Sequence, residues 1–153
     1  MPPADESTTA STADETAASP AARKRPRPGE RRVQILHMLA QMLEQPGAER
    51  ITTAALAGRL EVSEAALYRH FASKAQMFEA LIDFIEGSVF GLINQIGEHE
   101  AAGRARAARI VAMVLQFAEK NPGMTRVMVG DALVFEHERL QQRMNQLFDK
   151  LEA

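Results

Sequence analysis

The chain has 153 residues, 46% of them hydrophobic and 25% charged, with a formal net charge of -2, enough for one globular unit or two small helical layers. It contains no cysteine, which excludes disulfides, thiolate zinc sites and a cysteine nucleophile and suits a reducing cytoplasm. No apolar run approaches the roughly 20 residues needed to cross a bilayer, and no secretory signal opens the chain.

Ala, Leu, Met, Glu, Gln and Arg dominate and strand signals are scarce, so the expected fold is all-α. Residues 1–22 hold four acids and no Lys or Arg, and show no apolar periodicity. The basic run Arg23, Lys24, Arg25 and Arg27 follows, broken by Pro26 and Pro28. Residues 1–29 are expected to be a disordered arm, acidic and then basic, whose second part could lie on phosphates or in a minor groove. A solvated linker is the plain alternative.

A first helix is expected from Glu30 to Glu44, with Val33, Leu36, Ala40 and Leu43 on one face and Ile35, Leu39 and Met42 beside it. Gln45-Pro46-Gly47 should end it. Residues 52–71, TTAALAGRLEVSEAALYRHF, read as two short helices joined by a tight turn. Thr52 or Thr53 can cap the first and Ser63 the second, with Glu64 favourable in its first turn. Leu56, Ala57, Leu60, Val62, Leu67 and Phe71 can close on one another. Thr52, Thr53, Ser63, Tyr68, Arg69, His70 and Lys74 are left outward. Ala65 keeps the leading end of the second helix thin enough to approach base edges. This is the layout of a helix-turn-helix, whose second helix lies in the major groove.

Ser73-Lys74 should open a long helix to about Gln95, apolar on more than one face and therefore covered on two sides. Residues 97–103 read as a loop and Ala105 to Lys120 as a helix, stopped by Asn121-Pro122-Gly123. A shorter helix is expected from Met124 to Glu136, and a last one from His137 to Ala153. Leu140, Met144, Leu147 and Leu151 form a coiled-coil-like seam on that last helix, a packing face for another helix. Two units are expected: a DNA-binding domain over 30–73 and a helical regulatory body over 74–153. Charge agrees, since residues 23–78 carry ten Lys or Arg against five acids, whereas 79–153 carry eight against eleven. Phosphate neutralisation requires such a bias.

Catalysis is not expected. His37, His70, His99 and His137 have no metal-ligand spacing, no Gly-rich phosphate loop exists, and Ser63 has no base and serves better as a cap. No cofactor and no metal is anticipated.

VSEAALYRHFASKAQMFEAL, residues 62–81, resembles the signature of the TetR family: a recognition helix ending in Tyr-x-x-Phe, then Ser-Lys opening a long helix. RITTAALA (50–57), LIDFIEGS (81–88), EKNPGMTR (119–126) and RLQQRMNQLFDKLEA (139–153) extend the similarity towards that family's nucleoid-occlusion branch, from about Arg31 onward. The resemblance implies DNA contacts from Arg31, Thr52, Thr53, Ser63, Ala65, Tyr68, Arg69, His70 and Lys74 on palindromic sites. It implies a homodimer and a cytoplasmic, nucleoid-associated location. It also implies that the C-terminal tail of FtsZ, the division-ring GTPase, sits between the long helix and the next. Phe84, Leu92, Met113, Gln116, Lys120 and Asn121 would touch it, although Phe84 and Met113 taken alone read as ordinary core.

Two departures stand out. Glu61 occupies a turn position where the family usually has Gly, at a cost of roughly 1 kcal/mol. Such proteins also normally continue for two more helices beyond the point reached by Ala153. Two other readings stay open: a ligand-responsive repressor with an enclosed pocket, and a helical adaptor working through the Leu140–Leu151 seam without DNA.

Overall fold

Seven α-helices and one 3-10 turn make up the regular structure of residues 27–45 and 50–153, the residues described by the computed structural model. No strand occurs among them, and the chain is all-α. Of the arm expected over residues 1–29, residues 1–26 lie outside the described residues, as does the Pro46-Gly47 stop, whereas Pro28 and Gly29 are not arm but the first residues of a helix. None of the described helices is long and apolar enough to cross a membrane.

Helix α1 runs Pro28–Leu43, with proline in its first turn, where a missing N–H costs nothing. Its buried stripe is Ile35, Leu39 and Leu43 with Ala40. Val33, expected on the packing face, is largely exposed because the stripe follows the i, i+4, i+8 row through Ile35. Helices α2 (Thr53–Leu60) and α3 (Glu64–His70) are capped by the side chains of Thr52 and Ser63, which accept from the backbone N–H of Ala55 and Ala66. Between them Glu61 takes the left-handed conformation, φ 56° and ψ 41°. The N–H of Val62 returns to the carbonyl of Ala57 at 3.0 Å. This is the Schellman arrangement with a glutamate where glycine fits best.

Helix α4 extends over Lys74–His99, started by Ser73, whose hydroxyl accepts from the N–H of Gln76. It runs past the expected end at Gln95. An isolated Gly97 costs a helix only about 1 kcal/mol, so only residues 100–102 separate α4 from α5 (Gly103–Lys120). Arg106 closes that turn by donating to the Glu100 carbonyl at 3.1 Å. Coverage of α4 is uneven. Met77, Phe78, Leu81, Ile82, Ile85 and Val89 are buried, and no residue beyond Val89 is.

The helix expected over Met124–Glu136 is two pieces: α6 (Pro122–Met128) and a 3-10 turn at Asp131–Leu133. Gly130 interrupts it at φ 83°, a conformation open to glycine at little cost. Where α6 crosses α1, a Cβ on Gly123 would stand 2.0 Å from the Ala40 carbonyl oxygen, so glycine sets the approach. Arg126 locks the crossing by donating to the Leu43 carbonyl, 2.9 Å, at the open end of α1.

Helix α7 (Glu138–Glu152) lies on α4, and its seam is largely covered: Leu140, Met144 and Leu147 are fully buried and Leu151 is half-buried. Burying each of the first three contributes about 1.5–3 kcal/mol. Alongside, Arg143 bridges Asp83 and Glu86, Lys150 joins Glu86, and Arg139 joins Glu79. The adaptor reading, which needed this seam open, is thereby corrected.

Candidate nucleic-acid interface

The end of the molecule built by α1, α2, α3 and the start of α4 carries the residues expected to face DNA. Leu56, Ala57, Leu67 and Phe71 are buried beneath α2 and α3, with Leu60 and Val62 partly buried, so the outer faces of both short helices are held in fixed register. Thr52, Ser63, Ala65, Tyr68 and Arg69 are exposed, and Thr53 and His70 are half-buried. The Thr53 hydroxyl donates to Glu64 at 3.3 Å, and the Tyr68 hydroxyl lies 3.4 Å from the Thr53 oxygen. One polar edge thus runs from the start of α2 to the middle of α3.

Arginines divide the work. Arg32 is a brace: its guanidinium donates to the His70 carbonyl at the C-terminal end of α3 and lies 4.3 Å from the centre of the Phe71 ring. Arg31 and Arg69 make no ion pair among the described residues and remain available to phosphates or base edges. Lys74 differs from its sequence expectation. Its ammonium is 2.6 Å from Glu136 and 5.9 Å from the centre of the Phe78 ring, so a phosphate must first displace the Glu136 carboxylate.

The second expected site divides in two. Leu92, Met113 and Gln116 line an open groove of about 530 Å³ between α4 and α5, together with Gln95, Ile96, His99, Arg109 and Ala112. Phe84 and Asn121 instead line a recess of about 340 Å³ nearer α1, where the Phe84 ring meets His37 edge to face at 5.8 Å. Asn121 is partly occupied, since its amide donates to the Phe117 carbonyl at 2.8 Å. Lys120 lines neither volume and is exposed at the end of α5. Phe84 and Met113 are not the plain core that their residue types suggest: Phe84 is 37% exposed and Met113 half-buried. Gln95, His99 and Arg109 were missed as groove residues. Their signal is faint, a Gln95–His99 pair four apart on α4 facing Arg109, Met113 and Gln116 on α5.

Residues 35–81 match the family described as bacterial regulatory proteins, tetR family, and residues 103–153 match the tetracyclin repressor-like C-terminal domain. The chain belongs to the TetR family. Within it, the chain is 56% identical over 128 residues to the nucleoid occlusion factor SlmA of Aliivibrio fischeri strain MJ11, covering 83% of this chain and 65% of that one. It is 58% identical over 124 residues to the Marinomonas protein of the same name (81% and 63%). The Vibrio cholerae protein of that name is 55% identical over 124 residues (80% and 63%). The match therefore spans just under two thirds of these relatives' length. The residues matched to the regulatory-protein family include α2, α3 and the start of α4, and the body presents an open groove along α4.

Proposed function

We propose that this chain is a nucleoid occlusion factor: a DNA-binding protein that, on chromosomal palindromes, captures the FtsZ C-terminal tail and opposes division-ring assembly over the nucleoid. The observation that carries the reading is the open α4–α5 groove, on a chain so similar to named nucleoid occlusion factors. In this reading residues 30–73 bind DNA, 74–153 bind the partner, and two copies engage the two half-sites of a palindrome about one helical turn, roughly 34 Å, apart. Thr52, Tyr68 and Lys74 position the phosphate backbone. Ser63, Ala65, Arg69 and His70 approach base edges or flanking phosphates, and Arg31 and Thr53 support them. Leu92, Met113 and Gln116 hold the tail in the groove, with Phe84, Lys120 and Asn121 extending its path towards α1. No catalytic step is assigned.

A ligand-responsive repressor calls for an enclosed apolar cavity. Both volumes that receive the proposed partner residues are open to solvent.

The test is fluorescence anisotropy of a labelled FtsZ C-terminal peptide, with and without duplex. Saturable binding that duplex preserves or strengthens is expected. A folded, DNA-competent protein that ignores the peptide would overturn the reading. Thr52→Ser keeps the cap on Ala55, whereas Thr52→Ala removes it. Only DNA affinity should fall in the alanine variant, with peptide affinity in the absence of DNA unchanged.

A further inference from the structure

The α4–α5 groove has a chemical polarity that its apolar floor does not explain. Ile96 and Met113 supply apolar wall, and Gln95 and Gln116 supply amide groups suited to a peptide backbone. His99 and Arg109 line the groove as well, and none of its lining residues is acidic. The short turn held by Arg106 and the Glu100 carbonyl makes α4 and α5 antiparallel neighbours, bringing the last turn of α4 across from the first half of α5. The arginines of α5 are then distinct in use. Arg106 is committed to the turn and Arg104 is exposed and does not line the groove, while Arg109 is exposed, lines the groove, and its guanidinium has no ion pair or hydrogen bond among the described residues. Elsewhere on this body arginines that face a neighbour are matched: Arg126 with Asp131, Arg139 with Glu79, Arg143 with Asp83 and Glu86. An unmatched guanidinium beside an apolar wall is suited to a bidentate carboxylate.

We propose that Arg109, with His99 as second donor, receives a carboxylate of the bound peptide, so that the groove selects an apolar segment bearing an acidic group at the His99–Arg109 position. The selection rests on the peptide-capture reading above and specifies it. Arg109 fixes the register of the peptide, while the apolar wall supplies most of the affinity. Because the pair faces solvent, its contribution is modest and salt-sensitive.

The experiment is a double-mutant cycle on the full chain. The probe is the labelled FtsZ C-terminal peptide and a set of copies in which each carboxylate, side-chain or terminal, is replaced singly by its amide. Arg109→Gln keeps a good helix former at an exposed position and should leave the thermal midpoint unchanged. With the unaltered peptide, Arg109→Gln should bind roughly three- to fivefold more weakly, and Arg109→Lys should recover part of the loss. One amide peptide should lose the same factor against the parent protein and nothing further against Arg109→Gln. That coupling should shrink as salt is raised. Additive losses for every carboxylate would overturn the assignment, and so would equal binding of the unaltered peptide by parent and variant. Loss of duplex affinity in Arg109→Gln, with peptide affinity intact, would give the residue to phosphates instead. A parent protein that binds no peptide at all removes the capture reading itself, and this inference with it.

Discussion

Both halves of α4 carry large apolar residues, and the two live in different surroundings. From Met77 to Val89 the helix is buried by α1 on one side and α7 on the other. Beyond Val89 nothing on it is buried, and α5, which faces that second half, has no buried residue at all; Val111 is 59% and Leu115 65% exposed. The first half holds the DNA-binding end to the body. The second half holds apolar surface open in a groove. In the proposed reading, stability and recognition are thus separated, and truncations in the covered and the open region should behave differently.

The largest contrast is expected between Ile85→Ala and Leu115→Ala. Ile85 is fully buried on α4, and its truncation should cost about 2–4 kcal/mol. Leu115→Ala should stay within about 0.5 kcal/mol. Urea unfolding with unchanged m-values measures both. Equal losses would mean that α5 is covered in solution and that the two regions do not differ as described.

Next is the α1–α6 crossing, which belongs to the buried region although it joins the two proposed units. Gly123→Ala places a methyl 2.0 Å from the Ala40 oxygen and 2.9 Å from its carbon, where backbone must move. A loss of about 2–3 kcal/mol is expected. Gly58→Ala, with nothing within 4 Å of the added carbon, should instead gain about 0.5–1 kcal/mol. Similar outcomes for the two would show that α6 shifts freely on α1.

The ion network between α4 and α7 sharpens the comparison by pH. Hydrogen bonds from Lys150 and then Arg143 hold the Glu86 carboxyl below its ordinary value of 4.5. A carboxyl whose folded-state value is depressed adds stability that is present above about 4.5 and is lost as pH falls through the lower folded value. Glu86→Gln should therefore lower the thermal midpoint at pH 7 slightly and flatten its decline at acid pH. An unchanged acid profile would remove this network from the account of the covered region.

Local chemistry made much of this readable from the residues. Thr52, Ser63 and Ser73 cap the helices that follow them, and Glu61 takes the left-handed turn. Those features depend on residues a few positions apart. What was not readable depends on distant partners. Leu92 and Ile96 carry the same spacing as Leu81 and Ile85, and only the helices packed around the first half of α4 decide which pair is covered. The seam on α7 announced a packing face without naming its partner, which proved to be α4. Gly97 and Gly130 look alike in sequence. A helix continues through the first, and the second takes a positive φ beside Gln141. The exposed polar edge of α2 and α3, proposed to face DNA, was legible because capping and burial fix it. The grouping of the proposed partner residues was less so, because Phe84 and Asn121 fall in a different recess from Leu92, Met113 and Gln116.

The smallest expected effect concerns Lys74, where the DNA-facing edge touches the body. Its ammonium sits on Glu136, 2.6 Å away, at the end of the segment joining α6 to α7. A partly exposed ion pair of this kind stabilises the fold by no more than about 1 kcal/mol. A phosphate reaching Lys74 has to replace a carboxylate already in place, so the net gain in DNA affinity from this lysine is muted in the parent protein. Glu136→Gln removes the competitor without removing the cation. Duplex affinity near 0.1 M salt should then rise about two- to threefold, and the plot of log affinity against log salt should steepen by up to about 0.9, the share of one phosphate. Lys74→Gln should abolish that gain. If Glu136→Gln weakens binding instead, the carboxylate's role is to aim the lysine, and contact with the body would be part of how the DNA-binding end is held ready.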